Sequence, residues 1–213
     1  MQRTVFFFLI VILISSGNLF SQEIEVLPLP EPQRTGGMPL FEALDNRQST
    51  RTYSPHALNM HELSNLLWAA SGVNREDGRR TAPTARNWQQ IDIYVITASG
   101  WYLYDHTDHA LRKYGDQDLR EHAGTQDFVT TAPLNLIYVS DHDRMKGASP
   151  ENREFHSATD VGFVAQNVYL FCASEGFATV VRGLVDREKL HQVLNLRPSQ
   201  HVVLGQTIGH PGN

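Results

Sequence analysis

The sequence HSATDVGFVAQNVYLFCASEGF, residues 156–177, predicts a long helix. Its apolar residues recur at the three- and four-residue spacing of one helical face. Gly176 follows the periodic part and suits the left-handed position that ends many helices. Apolar residues also occupy a second side, so we expect this helix to lie centrally in the fold or at a subunit interface. The residues of the main face are Val161, Val164, Ala165, Val168, Phe171 and Cys172.

Strands and shorter helices alternate on both sides of this helix. Two apolar stretches at 90–97 and 100–105 are joined by a short turn and predict a hairpin. A helix at 59–72 begins with a capping-box pattern, in which Asn59 is the cap and Glu62 lies three residues on. Since the hairpin indicates antiparallel pairing, we predict an α+β fold with one layered core. Further helices are predicted at 38–46, in parts of 112–124 and at 186–196, and further strands at 132–141, 178–183 and 200–211.

The composition fits one globular domain, or at most two small ones. The 213 residues are 41% hydrophobic and 19% charged, which is enough for a sizeable core. A net charge of -5, without a basic block, argues against a nucleic-acid partner. The single cysteine, Cys172, excludes an intramolecular disulfide. Because it lies on the apolar helical face, we interpret it as a buried small side chain rather than a nucleophile.

The N-terminus reads as a secretory signal peptide over residues 1–21. Arg3 precedes an unbroken apolar run of ten residues, 5–14, which is too short to span a bilayer. An uncleaved anchor is the alternative. Residues 22–38 are rich in Pro and Gly and predict a tail or linker, followed by the domain at 39–213. We therefore expect an exported protein, periplasmic or secreted, with no stable membrane span after cleavage.

Three polar segments are candidates for a binding site. The first, RQSTRTY at 47–53, would place Arg47, Ser49, Arg51 and Tyr53 on one face if extended. Paired guanidiniums and a hydroxyl suit a phosphate monoester, although a basic surface turn is the simpler alternative. The second segment is RTAPTARNWQQIDIYV at 80–95, and the third is ASEGFATVVRG at 173–183.

Together, these three segments resemble the nitroreductase family of FMN-dependent oxidoreductases. The family's opening motif is Arg-x-Ser-x-Arg followed by an aromatic residue, as in 47–53, and the resemblance extends from about residue 39 to residue 211. The chain looks most like a branch that includes exported members and is related to thiazoline oxidases. The resemblance implies a nitroreductase-like fold, with a central, mainly antiparallel sheet flanked by helices. It also implies a homodimer with FMN at the interface, each site being built from both chains.

The resemblance assigns cofactor-binding roles within each segment. The first segment would hold the FMN phosphate and ribityl chain, and Arg51 or Arg86 could place positive charge near the flavin ring. In the second segment Asn87 would hydrogen-bond the ring edge. In the third, a backbone N–H of Arg182 or Gly183 would point at flavin N5. No catalytic side chain is assigned. The implied cofactor-binding residues are Arg47, Gln48, Ser49, Arg51, Thr84, Ala85, Arg86, Asn87, Val181, Arg182 and Gly183.

The implied function is an exported oxidoreductase that passes hydride through flavin N5. NAD(P)H or another donor would supply it, and a nitroaromatic or quinone-like small molecule would accept it. One alternative is a dehydrogenase or oxidase of the thiazoline-oxidase type that delivers electrons to oxygen. Another is a flavin- or phosphate-binding protein without turnover. The C-terminal GQTIGHPGN lacks the basic residue that many relatives place after the last strand, which leaves room for this second alternative.

The best candidate for a metal site is DHTDHA at 105–110. It contains two histidines and two aspartates, but it has no helical His-Glu-x-x-His pattern and no third ligand at recognisable spacing. We therefore predict a polar loop after the hairpin and no metal site.

Overall fold

Seven strands form one antiparallel sheet, which confirms the predicted α+β class. The computed structural model describes residues 24–212, so the predicted signal peptide at 1–21 lies outside the described residues. The strand order is β1-β4-β3-β2-β5-β7-β6, and every neighbouring pair is antiparallel. The strands are β1 (Val26–Pro28), β2 (Ile91–Thr97), β3 (Gly100–Asp105), β4 (Ala110–Gly115), β5 (Leu134–Asp141), β6 (Ala178–Arg182) and β7 (Gln200–Gly209).

Within residues 24–212, five α-helices accompany the sheet. The capping box predicted for α2 is confirmed, because the Asn59 side chain accepts backbone N–H bonds while Glu62 accepts from the Asn59 N–H. The long helix α4 ends as predicted at Gly176, which has a φ of 74°. None of the helices within residues 24–212 is both long and apolar enough to cross a membrane. The helices are α1 (Leu40–Asn46), α2 (Met60–Ser71), α3 (Phe128–Thr131), α4 (Pro150–Glu175) and α5 (Arg187–Val193).

The two faces of the sheet have separate cores because strand side chains alternate. On β2, Ile93 and Val95 pack in the cluster beneath α2 and α4, together with Leu66 and Val164. Tyr94, from the same strand, lies in the cluster on the other face, which also includes residues of α5. Helix α4 therefore lies on the same face of the sheet as α2, and its outer side exposes Phe163.

Two segments differ from the sequence predictions. Of residues 112–124, predicted to be helical in parts, Arg120–His122 forms a short 3-10 helix, whereas 112–115 belong to β4 and pair with β3 in a second hairpin. Residues 26–28, predicted to be part of a tail or linker, add the edge strand β1 next to β4. The following residues cross α2 towards α4: the Ser64 hydroxyl donates to Pro30 O, and the Met38 N–H donates to Ser174 Oγ at 2.8 Å.

Candidate functional site

The Arg-x-Ser-x-Arg segment lies against the exposed edge of β6. It leaves α1 at Arg47, whose backbone is extended, so the helix ends there. The Thr50 N–H donates to Thr179 O of β6 at 2.9 Å, which fixes the segment to the sheet edge. The Arg47 guanidinium lies 5.3 Å from the centre of the Tyr169 ring on α4, within the range of a cation–π contact.

The Tyr169 hydroxyl joins the first and third predicted segments. It accepts the Val181 N–H at 2.9 Å and lies 2.8 Å from Ser49 Oγ. Tyr169 is buried, so its own hydrogen is best used as a donor to Ser49. This arrangement leaves the hydroxyl hydrogen of exposed Ser49 free to donate to an external acceptor.

The charges around Ser49 suit an anion. No ion pair among residues 24–212 involves Arg47 or Arg51, so neither guanidinium is neutralised by a carboxylate in this part of the chain. A cavity of about 270 Å³ lies next to the segment and is lined by Gln48, Thr50 and residues of β6, but not by Arg47, Ser49 or Arg51. Two guanidiniums without carboxylate partners and a free hydroxyl donor fit a phosphate group.

Tyr53 does not share a face with the arginines as a fully extended segment would require. Its ring turns inward and lies 5.8 Å from the Phe128 ring, and its hydroxyl donates to Thr50 O at 2.7 Å. Burial raises the pKa of this phenol. Tyr53, the aromatic residue of the motif, therefore packs beneath the 47–53 loop and is not part of its binding surface.

The Arg182 side chain is directed away from the edge of β6. Its guanidinium is buried and donates to Ala123 O, Asn135 Oδ1 and Thr207 Oγ1 at 2.9, 3.1 and 2.9 Å. All three acceptors are neutral, and burial lowers the pKa of Arg182 to about 10. Any direct contact of this residue with a flavin would therefore come from its backbone.

Gly183 is the better placed of the two predicted N–H donors. Along β6, Thr179 O and Val181 N–H face the free edge, so by strand alternation the Arg182 N–H faces β7. Gly183 follows immediately and is exposed. A Cβ built on it would meet no heavy atom closer than 4.0 Å, which leaves room for a planar ligand to approach the backbone.

The second predicted segment contacts α4 at Asp160, closer to the N-terminus of the helix than Tyr169. Asp160 is buried and accepts the Ala85 N–H at 3.1 Å and the Gln90 side-chain amide at 2.7 Å. Arg86 and Asn87 have φ values of 51° and 55°, so this turn holds strained, exposed residues. Thr84 closes it by accepting the Gln89 N–H at 2.9 Å.

The chain brings the first and third segments together but not the second. Asp160 and Tyr169 are nine residues apart on α4, which corresponds to about 13 Å along the helix axis. The 84–87 turn therefore lies beside the site formed by Ser49 and Gly183 and not within it.

Sequence reasoning missed the two side chains that organise these segments, Tyr169 and Asp160. Tyr169 lies among the apolar residues on the second side of the helix, which hides its polar role. The only sequence signal for either residue was a polar group inside a strongly apolar helix, because such groups require partners when buried.

His109 and Asp105, from the predicted polar loop, contact other side chains of the protein. His109 lies 2.7 Å from Ser64 Oγ and 2.8 Å from the Tyr104 hydroxyl, and Asp105 pairs with Arg112. No group of three or more possible metal ligands occurs among residues 24–212. Cys172 is buried as predicted, and burial raises the pKa of its thiol.

The chain is similar to known proteins over most of its length. The family model described as the nitroreductase family matches residues 44–210. A Methanocaldococcus jannaschii protein named as a nitroreductase is 30% identical over 168 residues, covering 74% of this chain and 85% of that protein. The Bacillus subtilis protein named FMN reductase (NAD(P)H) is 22% identical over 188 residues, covering 82% of this chain and 66% of that protein. A crystal structure described as a nitroreductase from Ralstonia eutropha superposes with a TM-score of 0.84 at 45% identity, covering 88% of this chain and 90% of that one.

Proposed function

We propose that this chain, which belongs to the nitroreductase family of flavin oxidoreductases, binds FMN along the edge of β6 and passes hydride from NAD(P)H or another donor to a nitroaromatic or quinone-like acceptor. The observation that carries the proposal is the Ser49–Tyr169–Val181 link. It holds two uncompensated arginines and the open backbone of Gly183 along the same sheet edge. Bound FMN would supply hydride transfer at N5.

The phosphate end of FMN would be held by the first segment. Arg47 and Arg51 supply charge-assisted donors, and the Ser49 hydroxyl supplies a third donor that is already oriented by Tyr169. Gln48 lines the adjoining cavity and would face the ribityl chain. Because these groups are pre-positioned by the Thr50–Thr179 backbone bond, little ordering is needed on binding.

The ring end would lie beside Val181, Arg182 and Gly183. The Gly183 N–H would donate to N5, and the absence of a side chain allows the ring to approach closely. The buried Arg182 guanidinium would contribute its positive charge through the protein, without touching the ligand.

Residues 84–87 would complete the site of a second copy. They are exposed or half-buried and lie apart from Ser49 within one chain. Phe41 and Phe163 are also exposed, on α1 and α4, and would be covered in a homodimer. Asn87 and Arg86 would then reach the flavin ring of the partner.

We also propose export to the periplasm or the cell exterior, which rests on the apolar run at 5–14 following Arg3. Cell fractionation with an antibody against the C-terminus, together with N-terminal sequencing of the mature protein, tests this. An intact Met1 in the cytoplasmic fraction would contradict it.

The function is tested by titrating FMN into desalted protein and following the flavin spectrum. Replacing both arginines, Arg47→Ala with Arg51→Ala, should weaken FMN binding at least about a hundredfold, since each charged contact contributes about 1.5–3 kcal/mol. Arg79→Ala, at an exposed arginine elsewhere, is the matched control. Equal FMN affinity in the double variant and the control would refute the phosphate assignment.

Anaerobic addition of NADH or NADPH then tests the donor. Bleaching of the bound flavin would support nicotinamide-dependent reduction. Retained but unbleached flavin would refute the nicotinamide donor and favour a dehydrogenase of the thiazoline-oxidase type. Bleaching by dithionite but by no tested organic donor would favour a flavin-binding protein without turnover.

A further inference from the structure

A second polar cavity lies beside β2 and β3, at the ends of the strands. Its volume is about 360 Å³, and Trp88 and Leu103 form an apolar part of its wall. The charged and polar residues that line it include Arg80, Asp92, Asp105, His106, Arg112 and Arg144. The proposed FMN residues 47–51 and 181–183 do not line it.

The three guanidiniums of the cavity wall differ in their carboxylate partners. Arg144 makes a two-point contact with Asp92, at 2.8 and 2.9 Å, and Arg112 pairs with Asp105. Arg80 forms no ion pair with any residue in 24–212. Arg144 also contacts Asp141, and Arg112 also contacts Asp108, each at 3.3 Å. Burial lowers the pKa of Arg80 to about 10, so it stays charged at neutral pH.

Arg80 is also short of acceptors. Its one side-chain hydrogen bond is a long contact of 3.4 Å from Nη1 to Ile91 O. Its Nε is buried, and no acceptor for it occurs in the described part of the chain. A half-buried guanidinium with a buried, unpartnered Nε is costly unless an anion pairs with it.

His106 supplies a complementary acceptor. Its Nδ1 lies 2.9 Å from Ser71 O, and since a carbonyl only accepts, Nδ1 carries the hydrogen. Burial, and then the nearby Arg80 charge, lower the pKa of His106 to about 3, so the ring is neutral. Its Nε2 is therefore a lone-pair acceptor, and it is buried without a donor among residues 24–212.

We propose that this cavity binds a small monoanion that carries a hydroxyl group, such as a 2-hydroxycarboxylate. The anionic group pairs with Arg80, and the hydroxyl donates to His106 Nε2. A monoanion matches Arg80, the one guanidinium of this wall without a carboxylate partner among residues 24–212, and Trp88 with Leu103 provides contact for an apolar substituent.

Calorimetric titration with glycolate and acetate, at constant ionic strength set with chloride, tests the site. Glycolate should bind saturably and at least about fivefold more tightly than acetate, because only glycolate offers the hydroxyl. Arg80→Met should weaken glycolate binding at least about tenfold. Arg79→Met, at the neighbouring exposed arginine, should stay within about twofold of wild type. Equal loss in both variants, or no saturable heat in wild type, would overturn the proposal.

Two further measurements separate this site from others and from misfolding. His106→Phe should remove the difference between glycolate and acetate. In unmodified protein, the ¹⁵N resonance of His106 Nε2 should move on adding glycolate and not acetate; an unmoved resonance overturns the hydroxyl contact even if a variant fails to fold. The Arg47→Ala, Arg51→Ala protein should bind glycolate normally, so loss of FMN binding and loss of this site are distinguishable.

Discussion

Replacing Tyr169 with phenylalanine isolates the hydroxyl that joins α4, β6 and the Arg-x-Ser-x-Arg segment. The ring and its contact with Arg47 are kept. The variant loses the acceptor for the Val181 N–H, at 2.9 Å, and the partner of Ser49 Oγ, at 2.8 Å. Both effects follow from a single oxygen atom.

The magnitude follows from burial. Tyr169 is only 7% exposed, so the phenylalanine leaves the Val181 N–H without its acceptor. An unsatisfied buried donor costs about 1–3 kcal/mol, and Val181 is half-buried on an edge strand, which favours the lower part of that range. We expect a loss of about 1–2 kcal/mol in the free energy of unfolding, or about 2–8 °C in Tm for a chain of this size. Ser49 also loses its orientation, so FMN affinity should fall about tenfold.

The assay is thermal unfolding followed by circular dichroism, with FMN titration of the same samples. Tyr114→Phe removes a hydroxyl from an exposed tyrosine and is the matched control. Ser49→Ala combined with Tyr169→Phe should weaken FMN binding by less than the two separate effects together, because both changes act on one hydrogen bond. If Tyr169→Phe has the same Tm and FMN affinity as the Tyr114→Phe control, the hydrogen bonds of the Tyr169 hydroxyl contribute neither to stability nor to FMN binding.

Three further predictions concern stability. Burial lowers the pKa of His106 to about 3 in the folded protein, below the unfolded value of 6.5. The stability that the neutral ring provides is therefore fully present above pH 6.5. As the pH falls from 6.5 towards 3, the free energy of unfolding should decrease by up to about 1.4 kcal/mol per pH unit. Urea titrations across this range should show a shallower loss in His106→Gln. Gly124→Ala should lower the free energy of unfolding by about 1–3 kcal/mol, because its Cβ would clash with the buried Arg182 guanidinium. Gly162→Ala, in open space on α4, should be neutral or stabilising in the monomer. Equal unfolding midpoints for the two variants would contradict this prediction. Ser64→Ala should lower the free energy of unfolding by about 1–2 kcal/mol, because the Ser64 hydroxyl holds the N-terminal segment on α2 through Pro30 O. Limited digestion should also show faster cleavage near Pro30. An unchanged cleavage rate would show that other contacts hold this segment.

The sequence predicted well those elements whose side chains repeat regularly. Helix α4 and strands β2, β5 and β7 bury most of one or both faces, so their apolar patterns are strong. Strand β4 contains Arg112 and Lys113, which form surface ion pairs, and its composition resembled a polar helix. Strand β1 has three residues and exists only because β4 offers it a pairing edge.

The candidate site was likewise predicted only in part. The local sequence identified the chemistry of the segments: two arginines around a serine, a polar turn before β2, and a glycine after β6. It did not show that the Arg182 side chain turns into the sheet, because that orientation depends on acceptors contributed by β5, β7 and the loop at Ala123. Nor did it show that Tyr53 supports the loop from beneath.

The sequence by itself therefore determined the family resemblance, the fold class and the residue types that could hold a phosphate and a flavin ring. These properties depend on residues close together in the chain, where spacing fixes direction. Only the tertiary structure decided that Tyr169 connects Ser49 to β6, since the two side chains are 120 residues apart. Only the tertiary structure brought Arg80 and His106 to one cavity. Contacts between distant segments depend on how the packed core orients each element, and no local pattern encodes that orientation.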